Sequence, residues 1–199
     1  MNDVLLAVET LRGGGLAVIP TDTVYGLACL PQESSVRELY ALKGRVAMQP
    51  TALVAADVDA LLGCVPELAD REVVLRALLP GAFTLVLPNP ERRLPWLAGE
   101  RPETIGVRAP GLDGPGRDVL AAVGVVAATS ANHAGGADPR RLDEVPAEIR
   151  AGAACVDGGE LPGVPSTVVD LTGAEPVVLR EGAVPAAVVM ARVAEAQAG

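Results

Sequence analysis

The stretch Leu16-Ala17-Val18-Ile19-Pro20-Thr21-Asp22-Thr23-Val24-Tyr25-Gly26-Leu27 sets the frame for the whole chain. Leu16 to Ile19 is a short continuous apolar run, the pattern of a strand buried on both faces, and Pro20 ends it. Polar residues follow at once, and polar groups at the end of a buried strand lie where α/β sheets bind ligands. Taken alone, the same residues also describe a turn in which Asp22 and the threonines bond the backbone. Working outward, apolar spacing predicts an amphipathic helix over Asp3 to Arg12, which Gly13-Gly14-Gly15 can stop. Ser34 to Lys43 places Val36, Leu39, Tyr40 and Lys43 on one helical stripe. Further strands are predicted at Ala52–Ala55, Phe83–Leu87, Ile105–Arg108, Val125–Ala128, Thr167–Leu171 and Val177–Leu179. Helices fall between several of them, notably Pro66–Leu79, Arg117–Val123 and Ala186–Glu195. Strands interleaved with helices predict an α/β fold, and the two closing strands lie so near each other that the sheet is expected to be mixed. Glycine and proline cluster in short loops spread evenly along the chain, so residues 1–199 are expected to form one domain.

Composition narrows the function. The chain has 199 residues, 16 basic against 25 acidic side chains, and a net charge of −9. Half of it is apolar but only 2% is aromatic, which excludes a disordered chain and disfavours a base-stacking platform for single strands. The acidic balance argues against broad grip on nucleic acid or anionic membrane, while leaving room for a local basic pocket. Three cysteines, Cys29, Cys64 and Cys155, are too few and too scattered for a disulfide framework or a zinc site. No apolar run is long enough to span a membrane and no signal pattern opens the chain, so the expected location is the cytoplasm.

Four more segments carry groups suited to chemistry, each with a plainer reading beside it. Lys43 is the sole lysine, and Lys43-Gly44-Arg45 can converge on phosphates, or can be a solvated helix end with cations at the C-terminal dipole. In Thr104-Ile105-Gly106-Val107-Arg108, strand alternation puts Thr104, Gly106 and Arg108 on one face; the arginine can grip a carboxylate or form a surface ion pair. Thr129-Ser130-Ala131-Asn132-His133 offers small hydrogen-bonding groups after a strand, and its histidine, the only one, reads as a loop residue rather than a base. Pro165-Ser166-Thr167-Val168-Val169-Asp170 and Leu179-Arg180-Glu181-Gly182 close the set. There is no G-x-S-x-G elbow, no Cys–His pair and no Walker loop. The residues themselves lead to an α/β domain with an anion-binding cleft.

Taken in order, these segments resemble the YrdC-type threonylcarbamoyl-AMP synthases, from about Gly15 to Gly182. The resemblance implies a twisted sheet and helices around a deep concave site. It implies a reaction joining L-threonine, bicarbonate and ATP, with Mg²⁺ accompanying the nucleotide and pyrophosphate released. The product would feed N6-threonylcarbamoyladenosine formation on tRNA through a separate transfer complex, with little or no direct RNA contact by this chain. Carried across by position, Lys43 and Arg45 would hold the triphosphate, and Thr104, Asn132 and Arg180 would contact the nucleotide. Thr23, Arg108 and Ser130 would surround threonine, Arg108 at its carboxylate and Ser166 close by. No metal ligand is assigned to a protein side chain.

Departures accompany the match. Many family members carry Pro and a second Lys where this chain has Val46 and Gln49, which leaves the triphosphate site one cation poorer. Gly135-Gly136-Ala137-Asp138-Pro139-Arg140 lacks the serine or threonine often found there. The chain ends near the synthase domain, without the extra C-terminal domain of longer relatives. Two further readings stand beside the synthase. One is a paralogue making another carbamoyl-adenylate, as in the carbamoyltransferases of hydrogenase maturation, whose longer chains carry paired cysteines. The other is a non-catalytic module that binds nucleotide or RNA.

Overall fold

The computed structural model describes residues 3–44 and 49–198. Arg45 and Val46 therefore lie outside the described residues. Among those described, nine strands form one mixed sheet, built from β1 (Ala17–Pro20), β2 (Tyr25–Cys29), β3 (Ala52–Ala55), β4 (Phe83–Pro88), β5 (Thr104–Arg108), β6 (Val125–Ser130), β7 (Ala154–Cys155), β8 (Thr167–Asp170) and β9 (Val177–Arg180). Their order across the sheet is β7-β1-β2-β6-β3-β5-β4-β8-β9. β1 runs antiparallel to β2, β3 parallel to β5, and β4 parallel to β8, so the sheet is mixed as expected.

Most elements stand within a residue or two of their predicted positions, and the differences have local causes. Pro20 is the last residue of β1 rather than its terminator, because it pairs with Tyr25 across a tight hairpin. Tyr25–Cys29, which the turn reading of this stretch leaves unassigned, is a strand buried at every position. The predicted helix Pro66–Leu79 divides into a 3₁₀ segment, Pro66–Arg71, and a helix, Glu72–Leu78. A helix missing from the prediction, Val58–Cys64, starts at Asp57, whose carboxylate accepts the Ala60 N–H at 2.8 Å.

Alternation divides the sheet into two unlike faces. On one, Leu27, Leu53, Leu85, Val107 and Ala127 pack beneath the helices Glu33–Lys43, Val58–Cys64, Glu72–Leu78 and Ala186–Ala198 in a continuous core. On the other, the helices Asp3–Arg12 and Pro115–Val123 cover only the end of the sheet near β7, β1 and β6, where Ala17, Ile19, Val119 and Val126 are buried. The rest of that face, across β3, β5, β4 and β8, has no helix over it among the described residues and becomes the floor of a cavity. Among the described residues, no helix is long and apolar enough to cross a membrane.

Candidate functional site

The cavity holds about 420 Å³ above this uncovered face. Its floor is made of small residues at alternate positions of successive strands: Gly26, Ala128, Ala52 and Gly106. Small side chains sink the floor toward the backbone, and the larger residues at the margins become walls. Thr104, Gly106 and Arg108 all line the cavity while Ile105 and Val107 face the core, as the alternation in β5 requires. Ser130, Ser166 and Arg180 line it as well, so three strands, β5, β6 and β9, and the residue just before β8 deliver the residues that the sequence singles out.

At one end, Arg108 is only 9% exposed. Its Nη2 donates to the Asp22 carboxylate and, at 2.7 Å, to the Thr23 hydroxyl. The other Asp22 oxygen accepts the Gly111 N–H at 2.9 Å. This is a buried pair rather than the surface ion pair that the sequence also allows. Burial pushes the guanidinium's pKa down; Asp22 opposes that push, and Arg180 adds a little to it. The Nε of Arg108 is buried away from solvent and has no hydrogen-bond partner among the described residues, an unsatisfied donor inside the wall. Thr23, fully buried, stands behind Arg108 and supports it instead of forming the cavity wall.

The turn that holds Asp22 is stiff. The Thr21 hydroxyl donates to Val24 O at 2.7 Å and lies 3.0 Å from the Thr23 hydroxyl. Gly116, in the first turn of the helix Pro115–Val123, lies so close to Pro20 that a Cβ there would collide with its carbonyl. Behind the turn, the fully buried Tyr25 donates its hydroxyl toward Asp157 Oδ1 at 3.0 Å and Gly159 O at 2.8 Å, and accepts the Gly158 N–H. Burial raises its pKa to about 12.

A second wall is the turn after β6. Lys43, at the end of its helix, is only 3% exposed, so the solvated helix-end reading of this residue is wrong. Its ammonium donates to the carbonyls of Ser130 and Asn132, the latter at 2.6 Å, and to Asn132 Oδ1 at 3.0 Å. The Ser130 hydroxyl donates to the same Asn132 oxygen at 2.8 Å. Asn132 Nδ2 donates to Gly136 O at 2.6 Å and to Asp138 Oδ1 at 3.2 Å. Lys43 and Asn132 thus hold the Ser130 turn from behind; Ser130 and Asp138 line the cavity, and Lys43 and Asn132 do not. His133 sits half-exposed with Nε2 3.5 Å from Glu148, away from the cavity lining.

A third wall belongs to β4, β8 and β9. The Thr84 and Ser166 hydroxyls are 2.8 Å apart. Arg180 donates to Ser166 O from Nε at 3.2 Å and Nη2 at 2.9 Å. This crossing demands glycine at 182, where a Cβ would collide with the Pro165 carbonyl. Nearby, the Thr104 hydroxyl donates to Arg101 O at 2.9 Å, and Arg101 Nη1 reaches Asp170 at 2.7 Å. Burial pushes the Asp170 carboxyl up, but hydrogen bonds from Arg101 and Thr172 outweigh it and hold the group below its ordinary value.

Sequence reasoning gave no role to four polar residues of this cavity: Thr51, Thr84, Arg101 and Asp138. Thr84 was within reach, since the alternation of β4 sets it on the face opposite Phe83 and Leu85. Arg101 and Asp138 sit in loops, where no periodicity marks them.

With this geometry in place, the comparisons with known proteins are direct. Residues 9–182 match the Sua5/YciO/YrdC family model, described as "Telomere recombination". The chain belongs to the Sua5/YciO/YrdC family. It is 34% identical to a threonylcarbamoyl-AMP synthase of Pyrococcus abyssi across 90% of its own length, and it spans about half (54%) of that relative. It is 39% identical to a threonylcarbamoyl-AMP synthase of Stenotrophomonas maltophilia over 70% of this chain and 76% of that protein. The crystal structure of P. abyssi Sua5 complexed with L-threonine superposes with a TM-score of 0.80 at 32% identity, over 96% of this chain and 57% of that one. The mixed sheet and its concave face are therefore family features.

Proposed function

We propose that this chain is an L-threonylcarbamoyladenylate synthase, a nucleotidyltransferase that uses ATP, bicarbonate and L-threonine. One observation carries the reading: side chains from four separate family segments, Thr104, Arg108, Ser130, Ser166 and Arg180, converge on a single cavity. The P. abyssi relative, with its L-threonine complex, supports an amino-acid site on the same fold.

In this reading the carboxylate of threonine meets the Arg108 side chain, with Thr23 behind the arginine and Ser130 and Ser166 on either side. The amine and bicarbonate form an N-carboxylate with loss of water. One of its oxygens attacks the α-phosphorus of ATP, and the bond to pyrophosphate breaks. Arg180, with Lys43, Arg45, Thr104 and Asn132, is assigned to the nucleotide and its phosphates. Lys43 acts through the Ser130–Asn132 turn that its ammonium gathers. No protein nucleophile is needed; the chain supplies positioning and fixed charge, and removing one such contact commonly costs ~10²-fold or more in rate.

Mg²⁺ would enter with the triphosphate. Among the described residues no group of three or more His, Cys, Asp or Glu could hold a metal ion, and Asp138 is the carboxylate among those that line the cavity. That donor set does not make a resident magnesium cage, and Mg²⁺ commonly depends on substrate phosphates for its ligands. The product would pass to a separate tRNA-modifying complex in the cytoplasm, in keeping with a chain of net charge −9.

A second reading, a binding module without turnover, draws on Gln49 in place of the family's lysine. The deciding assay is pyrophosphate release from ATP with Mg²⁺ and bicarbonate, with and without L-threonine, with mass detection of the adenylate. Threonine-dependent release with threonylcarbamoyl-AMP present is expected; ATP binding with no threonine-dependent product would overturn the synthase reading in favour of the module. Arg108→Ala should weaken the threonine dependence most, and an unaltered threonine KM would remove Arg108 from that role.

A further inference from the structure

Joining an amino acid to a nucleotide through bicarbonate brings three groups into one cavity, and the carbon of bicarbonate has to lie between the other two. The sheet shows what stands there. Thr84 pairs with Val168 across β4 and β8, and Val168 pairs with Arg180 across β8 and β9. On the other side Leu85 pairs with Val107, so the next residue along each strand sets Thr84 beside Arg108. Arg108, Thr84, Val168 and Arg180 therefore form one row across four adjacent strands, and all four line the cavity. Three strand intervals, about 14 Å between Cα atoms, separate the arginines. Burial lowers the Arg108 pKa most, Asp22 opposes it and the Arg180 charge adds to it, so the two guanidiniums lie within each other's field.

Between them is a pair of hydroxyls. Thr84 Oγ1 and Ser166 Oγ are 2.8 Å apart. Ser166 Oγ also accepts from Arg180 Nη2 at 3.3 Å. Two hydroxyls that bond each other use one proton between them, and among the described residues neither donates anywhere else. One O–H is left for a ligand. With Ser166 taking the Arg180 hydrogen bond and donating to Thr84, that O–H belongs to Thr84. Thr84 is also the more open of the two, half-buried where Ser166 is 3% exposed. A neutral donor flanked by two guanidiniums suits an anionic oxygen, and Val168 beside it offers only an apolar surface.

We propose that Thr84 binds the carboxyl group that comes from bicarbonate, its O–H holding one oxygen of that group between the amino acid at Arg108 and the phosphates at Arg180. The assignment rests on the synthase reading for the reaction. The amine nitrogen bonds to the bicarbonate carbon, the C–OH bond breaks, and that hydroxyl leaves as water with one amine proton. Of the two oxygens left on the carbon, Thr84 holds the one that becomes the carbonyl oxygen of the product. The other is left to attack the α-phosphorus as the bond to pyrophosphate breaks. Bicarbonate has few atoms with which to bind, so one directed hydrogen bond is a large share of its affinity and a small share of that of ATP.

The test is threonine-dependent pyrophosphate release in CO₂-depleted buffer at varied bicarbonate, using the full chain as wild type, Thr84→Val and Thr84→Ser. Thr84→Val keeps the shape and removes the hydroxyl. Its bicarbonate KM should rise at least about tenfold, with the KM values for ATP and threonine within about twofold, matching loss of one hydrogen bond to an anion. Thr84→Ser restores the donor and should bring the bicarbonate KM to within about threefold of wild type. An unchanged bicarbonate KM or an equal rise in all three KM values would overturn the proposal. So would a rise confined to threonine, which gives Thr84 to the amino acid, or Thr84→Ser behaving as Thr84→Val. Thr84→Ala takes the place of Thr84→Val should that variant not fold. Binding without turnover is followed by the ¹³C line width of labelled bicarbonate, which the wild type should broaden and Thr84→Val should not; equal widths with both would also sink the assignment. If the wild type releases no pyrophosphate with threonine yet broadens the line through Thr84, the synthase reading falls and the bicarbonate site stands.

Discussion

Arg108 and Arg180 face the same cavity and have the same side chain, yet the fold has made them different instruments. Arg108 stands on β5, a strand with sheet on both sides, and is buried with a fixed carboxylate partner. Arg180 stands on the edge strand β9, is exposed, and is held by the oxygens of Ser166. A guanidinium deep in the sheet has to be neutralised, because an uncompensated buried charge is costly. One at the edge is solvated and keeps its full charge for a ligand. Position in the sheet, more than residue type, decides whether each charge is cancelled.

The sharpest way to break the contrast is to remove the partner from the buried arginine. Asp22→Ala leaves Arg108 charged and unpaired, and should lower the free energy of unfolding in urea by about 3–5 kcal/mol. Arg180→Ala, which removes part-buried hydrogen bonds to Ser166 but breaks no ion pair among the described residues, should lower it by about 1 kcal/mol. Equal losses would show that the two arginines are structurally alike.

Next in size is Lys43, which organises the turn after β6. Lys43→Ala should reduce threonine-dependent pyrophosphate release by ~10²-fold. It should also lower the melting temperature, because it removes the buried ammonium's hydrogen bonds to the Ser130 and Asn132 carbonyls. Reduced turnover at unchanged melting temperature would assign Lys43 to the ligand alone.

Arg180→Ala tests the exposed side functionally. The KM for ATP should rise by about tenfold and that for threonine by less than about twofold, matching loss of one charge-assisted contact. A larger effect on threonine would overturn the assignment of Arg180 to the nucleotide.

The mildest prediction concerns pH. Burial raises the Cys29 thiol from 9.0 to about 12 and the Tyr25 hydroxyl from 10.0 to about 12. Each group holds its proton more tightly folded than unfolded, so between pH 9 and 12 the folded state binds more protons. Stability attributable to them is complete below pH 9 and declines as pH rises toward 12. Tyr25→Phe should flatten this decline above pH 10 in denaturation curves measured pH by pH. It should also loosen the segment Asp157–Gly159, seen as faster amide exchange at Gly158; an unaltered slope would show that Tyr25 does not drive the alkaline loss.

The sequence carried much of this. Local patterns are enough to mark Ala52–Ala55 as a strand and Ser34–Lys43 as a helix, because apolar period reports burial directly. Alternation in Thr104–Arg108 sorts ligand-facing from core-facing residues before any fold is drawn, since a strand's geometry allows only two faces. Family motifs, read in order, name Arg108, Ser130, Ser166 and Arg180 as site residues. Other features were legible only in part. Tyr25–Cys29 becomes a strand because β1 and β6 flank it, a long-range condition that no local pattern contains.

What only the tertiary structure decided is which groups meet. Asp22 and Arg108 are 86 positions apart, and Lys43 and Asn132 are 89 apart. Nothing in either neighbourhood announces the other. The chain's own pattern of apolar and small residues determines that a sheet forms with one face poorly covered; the packing of just two helices over one end of that face determines where the cavity opens. Residue type fixes which charges exist along the chain, and sheet position fixes which of them are cancelled, because burial makes an ion pair obligatory at β5 and leaves it optional at the edge.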